Sequence, residues 1–501
     1  MDNCIVETRA GNIQGYAKDG LKIFKGIPYA ESPVDELRFS PSVPKKPWSG
    51  ILDCTKPGPI VPQRDAPFSP KPLPLQSEEG CLNLNIWTPE TDAKRRPVLF
   101  WIHGGGFSFG SGSWDDGSHL ASRGDCVMVT INYRVNILGF LYIKDQMANL
   151  GQGDQIMALQ WVRDNIERFG GDPDNVTIFG ESAGAVAVCT LMAMPAAKGL
   201  FRRVIAESGN AHPKSYDPQA GIDGTKKIME ALGVPGNDIA ALRKVPTEKI
   251  VQVAEKMELE ARGEGLLFPY GIYVDGKTLP EHPLEAIRNG FAKDIDLIIG
   301  TNRDEAKLYT ALMPSGQKLD EEGLLKAVLK ILARYGQDAN AASKMIGAYR
   351  TAREGKLPTD PQNILDAVTT DSRFRIPALL LAEAQSRHQS RVFSYLFTYQ
   401  SPALGGRVGA CHGLEVPFLF GSLGEKERLV FPKRSAETDI LSNNMVDAWT
   451  SFARTGNPSH AGMPTWLPFD PVRRNTMILD TEIKLAEDPF GQERKAWDGI
   501  F

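Results

Sequence analysis

One short stretch constrains this chain more than any other: Val176-Thr-Ile-Phe-Gly180-Glu-Ser182-Ala-Gly184-Ala185. Four residues of strand character lead into a Gly-x-Ser-x-Gly turn, and Ala185-Val-Ala-Val-Cys-Thr-Leu-Met-Ala-Met194 then has the composition of a buried helix. A serine between two glycines at a strand-to-helix corner is carried on a sharp, strained turn that exposes its hydroxyl. The glycines matter because a Cβ there would collide with neighbouring backbone. The pattern alone is weak evidence, since Gly106-Phe-Ser108-Phe-Gly110 also matches it. That second copy follows a glycine run and leads into Ser111-Gly-Ser-Trp-Asp-Asp-Gly117, which cannot begin a helix. Context selects Ser182 over Ser108, and a tight turn without chemistry remains the plain alternative until partners are found.

The rest of the chain alternates strand and helix signals. Residues 5–30 hold short alternating runs separated by glycine, which predict a small antiparallel sheet. Residues 31–76 are rich in proline and turn residues, and 64–76 is a candidate flap near a site. Leu82–Trp87 alternates, whereas Pro97–Ile102 and Cys126–Ile131 are continuously apolar, as strands buried on both faces are. A helix is predicted over Gly153–Phe169. Further strands are predicted at Arg203–Glu207, Asp294–Ile299 and Arg391–Phe397, with amphipathic stretches at Asp217–Leu232, Ala241–Glu258 and Glu321–Tyr349. This is the pattern of an α/β protein with a large, mostly parallel sheet flanked by helices. Residues 310–388 contain no strand candidate, so one domain over 1–501 with a helical excursion at about 310–388 is expected.

At 501 residues and 42% hydrophobic, the chain can bury a large core. Its 57 Lys and Arg against 61 Asp and Glu give no electrostatic footprint for nucleic acid or an anionic membrane. No apolar run approaches the ~18 residues of a spanning helix. The first residues, Met1-Asp-Asn-Cys-Ile-Val-Glu-Thr8, have neither a basic nor an apolar leader region. The six cysteines include no Cys-x-x-Cys pair. Reduced thiols in a cytoplasmic protein are therefore expected.

A serine alcohol needs a base within hydrogen-bond reach. In an α/β hydrolase the partners follow in the order serine, acid, histidine, each on a loop after a strand. Of seven histidines, His103 and His119 precede the serine, His212 and His282 precede the best acid loop, His388 sits in a helical stretch and His460 in a surface turn. His412 follows the Arg391–Phe397 strand across a glycine-rich loop and is the candidate base. The acid loop after Asp294–Ile299 reads Gly300-Thr-Asn-Arg-Asp304-Glu305-Ala306, and by chemistry alone either carboxylate suits. His103-Gly104-Gly105-Gly106-Phe107 follows the Pro97–Ile102 strand and is a glycine loop of the kind that supplies oxyanion donors. The Ala183 N–H, next after the serine, supplies another. A phosphate cradle is disfavoured because no Lys-Ser/Thr pair follows the glycines. Asp115, Asp116 and His119 match no metal-ligand spacing, and no cofactor is implied.

With these pieces placed, the chain resembles the type-B carboxylesterases, the esterase/lipase–cholinesterase family, and among them the bacterial para-nitrobenzyl esterase group. The likeness covers nearly the whole length and is carried by Gly26-Ile-Pro-Tyr-Ala30, Leu37-Arg-Phe39, Asn132-Tyr-Arg134, Trp161-Val-Arg-Asp-Asn-Ile166, Phe169-Gly-Gly-Asp-Pro173, Phe179-Gly-Glu-Ser-Ala-Gly184 and Ala197-Lys-Gly-Leu-Phe201. The resemblance implies an α/β-hydrolase fold and a triad of Ser182, Glu305 and His412, with Ala306 where the family usually has glycine. It implies an oxyanion hole of Gly105, Gly106 and Ala183, and supporting roles for Glu181 and Ser208. It also makes Leu266, Leu267 and Phe268 candidate acyl-pocket residues, although the spacing before Val274-Asp-Gly276 departs from the family. Secreted members pair the cysteine matching Cys81 with one just before a Pro-Gln; here Val61 stands there, which favours an intracellular protein.

The expected function is serine carboxylesterase action on a small-molecule ester through an acyl-enzyme, by a monomer or small homo-oligomer with no nucleic-acid or membrane partner. Amide or carbamate hydrolysis on the same triad is the enzymatic alternative. A non-catalytic recognition protein of the same fold is disfavoured by the intact Ser182 and His412.

Overall fold

The continuously apolar runs become the interior strands of one sheet. The computed structural model describes residues 4–65, 73–263, 270–311, 319–424, 432 and 434–501. Its strands are β1 Ile5–Glu7, β2 Asn12–Gln14, β3 Tyr16–Lys18, β4 Leu21–Pro28, β5 Ile51–Asp53, β6 Asn83–Thr88 and β7 Arg96–Ile102. They continue with β8 Val127–Ile131, β9 Gly171–Glu181, β10 Arg203–Glu207, β11 Asp296–Asn302, β12 Val392–Phe397, β13 Asn475–Leu479 and β14 Lys484–Glu487. An 11-stranded sheet has the order β14-β13-β12-β11-β10-β9-β7-β8-β6-β4-β3. Every pairing from β13 across to β8 is parallel. The edges, β14 on one side and β6, β4 and β3 on the other, are antiparallel.

Apart from the partly exposed start of β9 at Asp172–Asn175, the parallel strands are buried along their paired lengths, and their side chains alternate between two cores. Val98, Phe100, Ile102, Ile178, Val204 and Leu297 lie in one. Leu99, Trp101, Phe179, Ile205, Ile298 and Phe393 lie in the other. That period of two is the pleat of each strand, and helices covering both faces keep both sets dry. A third core, including Leu324, Val328, Tyr349, Ile364 and Trp497, belongs to the helices of residues 321–386 and the C-terminal turn.

The chain passes from β7 to β8 on one side and from β9 to β10 on the other, so strand order reverses between β7 and β9. A crevice opens at the carboxyl ends of parallel strands where order reverses in this way. The loops after β7, β9, β10, β11 and β12 all emerge at that edge.

Several elements differ from the sequence expectation. Glu321–Tyr349 is two helices, Glu321–Ala333 and Ala339–Arg353, because Gly336 takes φ +74 and Asp338 caps the second helix through Ala341 N–H. Ala241–Glu258 is likewise split into Ile239–Arg243 and Thr247–Gly263, and Pro246, which has no N–H to continue a ladder, lies between them. The helix expected from Gly153 starts at Leu150 and ends at Asn165, with a 3₁₀ turn to Phe169 closed by Gly170 at φ +76. At the N-terminus, β1 and β2 are antiparallel, but β5 joins β2 in parallel and β3 and β4 extend the large sheet. β13 and β14 were not expected; the short Asn475–Leu479 run lacks flanking turn glycines. No described helix is long and apolar enough to cross a membrane. The six cysteines are buried, and among the described residues no disulfide joins them.

Candidate active site

At the end of β9 the chain must turn into the helix Ala183–Leu191, and Ser182 makes that corner with φ +56 and ψ −120. For a residue with a Cβ this conformation costs about 1–3 kcal/mol, and packing must hold it. Ser182 N–H donates to Glu207 O at 2.9 Å, which ties the corner to β10. Gly184 is required on steric grounds: a Cβ there would lie 2.0 Å from Ile102 O. The helix of nine residues begins at Ala183, so its unpaired N–H groups and positive dipole end face the serine.

The loop after β7 lies against this corner. A Cβ on Gly104 would come within 3.2 Å of Ser182 Cβ. Gly105 and Gly106 take φ +100 and +62, and Gly105 O accepts from Ser108 N–H at 3.0 Å and Phe109 N–H at 3.3 Å. The loop is fastened from behind: Tyr133 OH donates to His103 O at 2.8 Å, and Gln63 bonds both backbone groups of Gly110, at 2.7 and 3.0 Å. Among the described residues no acceptor takes the N–H of Gly105, Gly106 or Ala183. Burial pushes His103 down to about 4, so it is neutral at pH 7 and stacks on Tyr133 at 4.3 Å.

The candidate acid and base, Glu305 and His412, come from the loops after β11 and β12. Glu305 Oε2 lies 2.6 Å from His412 Nδ1, while Glu305 Oε1 accepts from Asn302 N–H at 2.7 Å. A carboxylate at Nδ1 fixes the tautomer that leaves Nε2 as an acceptor. Asp304 points elsewhere: it pairs with Arg303 at 2.7 Å and Lys307 at 3.2 Å and accepts from Ala410 N–H at 3.0 Å. Burial pushes the Asp304 carboxyl up, but Arg303 and Lys307 outweigh it and hold it below its ordinary value.

His412 Nε2 is 3.1 Å from Glu181 Oε1, yet neither atom makes a hydrogen bond of acceptable angle. The residue preceding Ser182 therefore reaches the outer nitrogen of the His412 imidazole. Burial alone lowers the pKa of His412, but the carboxylates of Glu181 and Glu305 overcome it and raise the imidazole above its ordinary 6.5. Burial raises Glu181 in turn, against the pull of His412.

Two further carboxyls complete the buried surroundings, and the sequence pattern did not single them out. Glu415 accepts from Ser208 Oγ at 3.2 Å and from the Asn302 side chain, and burial raises it. Glu207 accepts from Trp449 Nε1 at 2.7 Å and is raised well above 4.5 by burial. A glutamate inside an apolar run was the available signal in both cases. Ser208 is fully buried at φ +55. Leu266, Leu267 and Phe268 lie outside the described residues, as does part of the 64–76 flap. Among the described residues no group of three or more His, Cys, Asp and Glu could hold a metal ion.

Such a corner, with donors on one side and a carboxylate-oriented imidazole on the other, has the parts needed for acyl transfer. A model of the carboxylesterase family matches residues 2–497. The para-nitrobenzyl esterase of Bacillus subtilis (strain 168) is 37% identical over 503 residues, 99% of this chain and 98% of that protein. The phenmedipham hydrolase of Pseudarthrobacter oxydans is 35% identical, over 93% of this chain and 92% of its own length. Among solved structures, a thermophilic PNB esterase matches with a TM-score of 0.88 at 36% identity, covering 100% of both chains. A Geobacillus stearothermophilus carboxylesterase matches with a TM-score of 0.86 at 40% identity, covering 99% of this chain and 100% of that one. On sequence and fold together, the chain belongs to the carboxylesterase family and is a carboxylic ester hydrolase of the α/β-hydrolase fold.

Proposed function

We propose that Ser182, Glu305 and His412 carry out the ester hydrolysis, with Gly105, Gly106 and Ala183 as oxyanion donors. The observation that carries this reading is the 2.6 Å contact of His412 Nδ1 with Glu305 Oε2, on an imidazole whose Nε2 lies beside the Glu181–Ser182 corner. His412 Nε2 takes the proton of Ser182 Oγ as that oxygen attacks the ester carbonyl. The carbonyl oxygen becomes an oxyanion and accepts from the three backbone N–H groups. When the tetrahedral intermediate collapses, the C–O bond to the alcohol breaks and His412 returns the proton to the leaving oxygen. Water then attacks the acyl-enzyme along the same path, and Ser182 is released with the carboxylic acid.

The experiment is covalent trapping. A fluorophosphonate is expected to add once per chain, at Ser182, and to abolish turnover of a short-chain aryl ester. Labelling at another residue, or an active Ser182→Ala variant, would overturn the assignment.

The same reading makes the chain one catalytic domain, with the helices of 321–386 as an excursion over the carboxyl edge; the Ala306 N–H bond to Thr370 Oγ1, 3.2 Å, supports this. We take it to be a cytoplasmic enzyme, monomeric or a small homo-oligomer. Support for the cytoplasm comes from the absence of a disulfide among the described residues, Cys81 included.

A further inference from the structure

The helix that begins at Pro361 does not run evenly. Between Pro361–Thr370 and Ile376–Ser386, residues Asp371–Arg375 form a π-turn, with Ile376 N–H donating to Asp371 O. A turn of this kind takes in an extra residue at the expense of good hydrogen-bond geometry, and such turns gather at functional sites. Here it keeps Arg375 paired with Asp371 inside the helical layer, at 2.6 Å through both Nε and Nη2. It also brings Phe374 onto the imidazole of His412, with ring centroids 4.9 Å apart and planes at 46°. Tyr309 is the other aromatic neighbour of that imidazole among the described residues, at 5.9 Å. His412 is left 7% exposed and Phe374 8%.

The π-turn is held by the loop after β10. Asn210 Nδ2 donates to Arg373 O at 3.0 Å and to Phe374 O at 3.3 Å. His212 Nε2 lies 3.1 Å from Ser372 O, and since His212 Nδ1 accepts from Lys214 N–H, Nε2 carries the proton. The same loop packs on the serine corner: a Cβ on Gly209 would stand 2.6 Å from Ser182 O. One loop thus touches the corner that carries Ser182 and grips the turn whose aromatic ring lies on His412.

We propose that Phe374 is a positioning residue for the ester hydrolysis, its ring fixing the plane of the His412 imidazole and keeping water from its face, and that Asn210 acts through it by holding the π-turn. This rests on the triad reading above. An imidazole that must receive a proton from one oxygen and deliver it to another has to stay aimed through both transfers, and misplacement of a reacting group by ~1 Å costs up to about 100-fold.

The test is a mutant cycle on the full chain, read as kcat and KM with an aryl ester and as the rate of fluorophosphonate addition. Phe374→Ala is expected to lower both kcat and the addition rate about tenfold or more with KM little changed. Phe374→Tyr, which keeps the ring, is expected to stay within about threefold of the parent. Asn210→Ala should fall in the same direction, and the Asn210→Ala, Phe374→Ala double variant should be no slower than Phe374→Ala alone, because both act through one contact. If Phe374→Ala does not fold, Phe374→Leu carries the same expectation at several-fold. Parental kcat in Phe374→Ala and Phe374→Leu, a loss confined to KM, or fully multiplicative losses in the double variant would each overturn the proposal. Failure of the triad reading is distinguishable, since the parent enzyme would then not be labelled at Ser182.

Discussion

The two Gly-x-Ser-x-Gly copies are the same pattern put to different physical use. Ser182 stands between an eleven-residue strand and a nine-residue helix, at φ +56, with glycines on both sides that admit the passing strand β7. Ser108 stands in a loop, is 1% exposed, and among the described residues its hydroxyl reaches only Gly106 O, at 3.4 Å. Its N–H closes the turn that bends Gly105, so the second copy builds the donor loop that faces the first. The difference lies in the flanking segments. A buried strand and a buried helix fix the direction of a serine, and a run of turn residues does not.

The largest effect should separate the two serines. Ser182→Ala is expected to lower kcat by on the order of 10⁶, whereas Ser108→Ala should stay within about threefold because it deletes one long hydrogen bond. Aryl-ester turnover decides it, and the reverse ranking would dissolve the comparison. Next, Glu305→Gln should cost about 10³–10⁴ in kcat through loss of the correct tautomer. Asp304→Asn should instead cost about 3 kcal/mol of stability by stranding Arg303 and Lys307, with activity per folded molecule nearly retained. Parallel denaturation and kinetic measurements separate those outcomes.

Gly105→Ala sharpens the role of the second copy. A Cβ there would lie 2.1 Å from Phe109 O at φ +100, so the loop must open. A loss of about 10²–10³ in kcat is expected from one misplaced donor, with the fluorophosphonate site unchanged. Retained activity would show that Gly105 N–H is dispensable.

The smallest effect concerns pH. The proposed base, His412, must be neutral imidazole to take a proton, and Glu181 with Glu305 raises its pKa above the ordinary 6.5. As pH falls through that raised value, kcat/KM should fall, so the acid limb is expected above 6.5 rather than at or below it. Glu181→Gln removes a negative charge from the neighbourhood of Nε2 and should move the limb to lower pH. A flat profile down to about pH 5 would exclude His412 as the base.

Much of this was legible in the chain because it depends on local chemistry. Continuously apolar runs such as Pro97–Ile102 have the pattern of strands covered on both faces, and glycines flanking Ser182 mark a corner that needs them. The order Ser182, Glu305, His412 follows from loops after three parallel strands in chain order, β9, β11 and β12. What stayed hidden depends on contacts between residues distant in sequence. By chemistry alone Asp304 and Glu305 were equivalent, and the resemblance chose Glu305; in the structure they diverge because Asp304 meets Arg303, Lys307 and the Ala410 N–H while Glu305 meets His412. Glu415, 110 residues beyond Glu305 in the chain, joins the site through hydrogen bonds from the Ser208 and Asn302 side chains.

Phe374 is the clearest case. Nothing in Asp371-Ser-Arg-Phe-Arg375 announces a π-turn, because the extra residue is stabilised by Asn210 and His212 from another part of the chain. The sequence by itself determined the layers, the catalytic edge and the serine corner, through periodicity and steric demand. Only the tertiary structure decided which buried groups surround His412, because burial and charge there are set by side chains that the fold, not the chain order, makes neighbours.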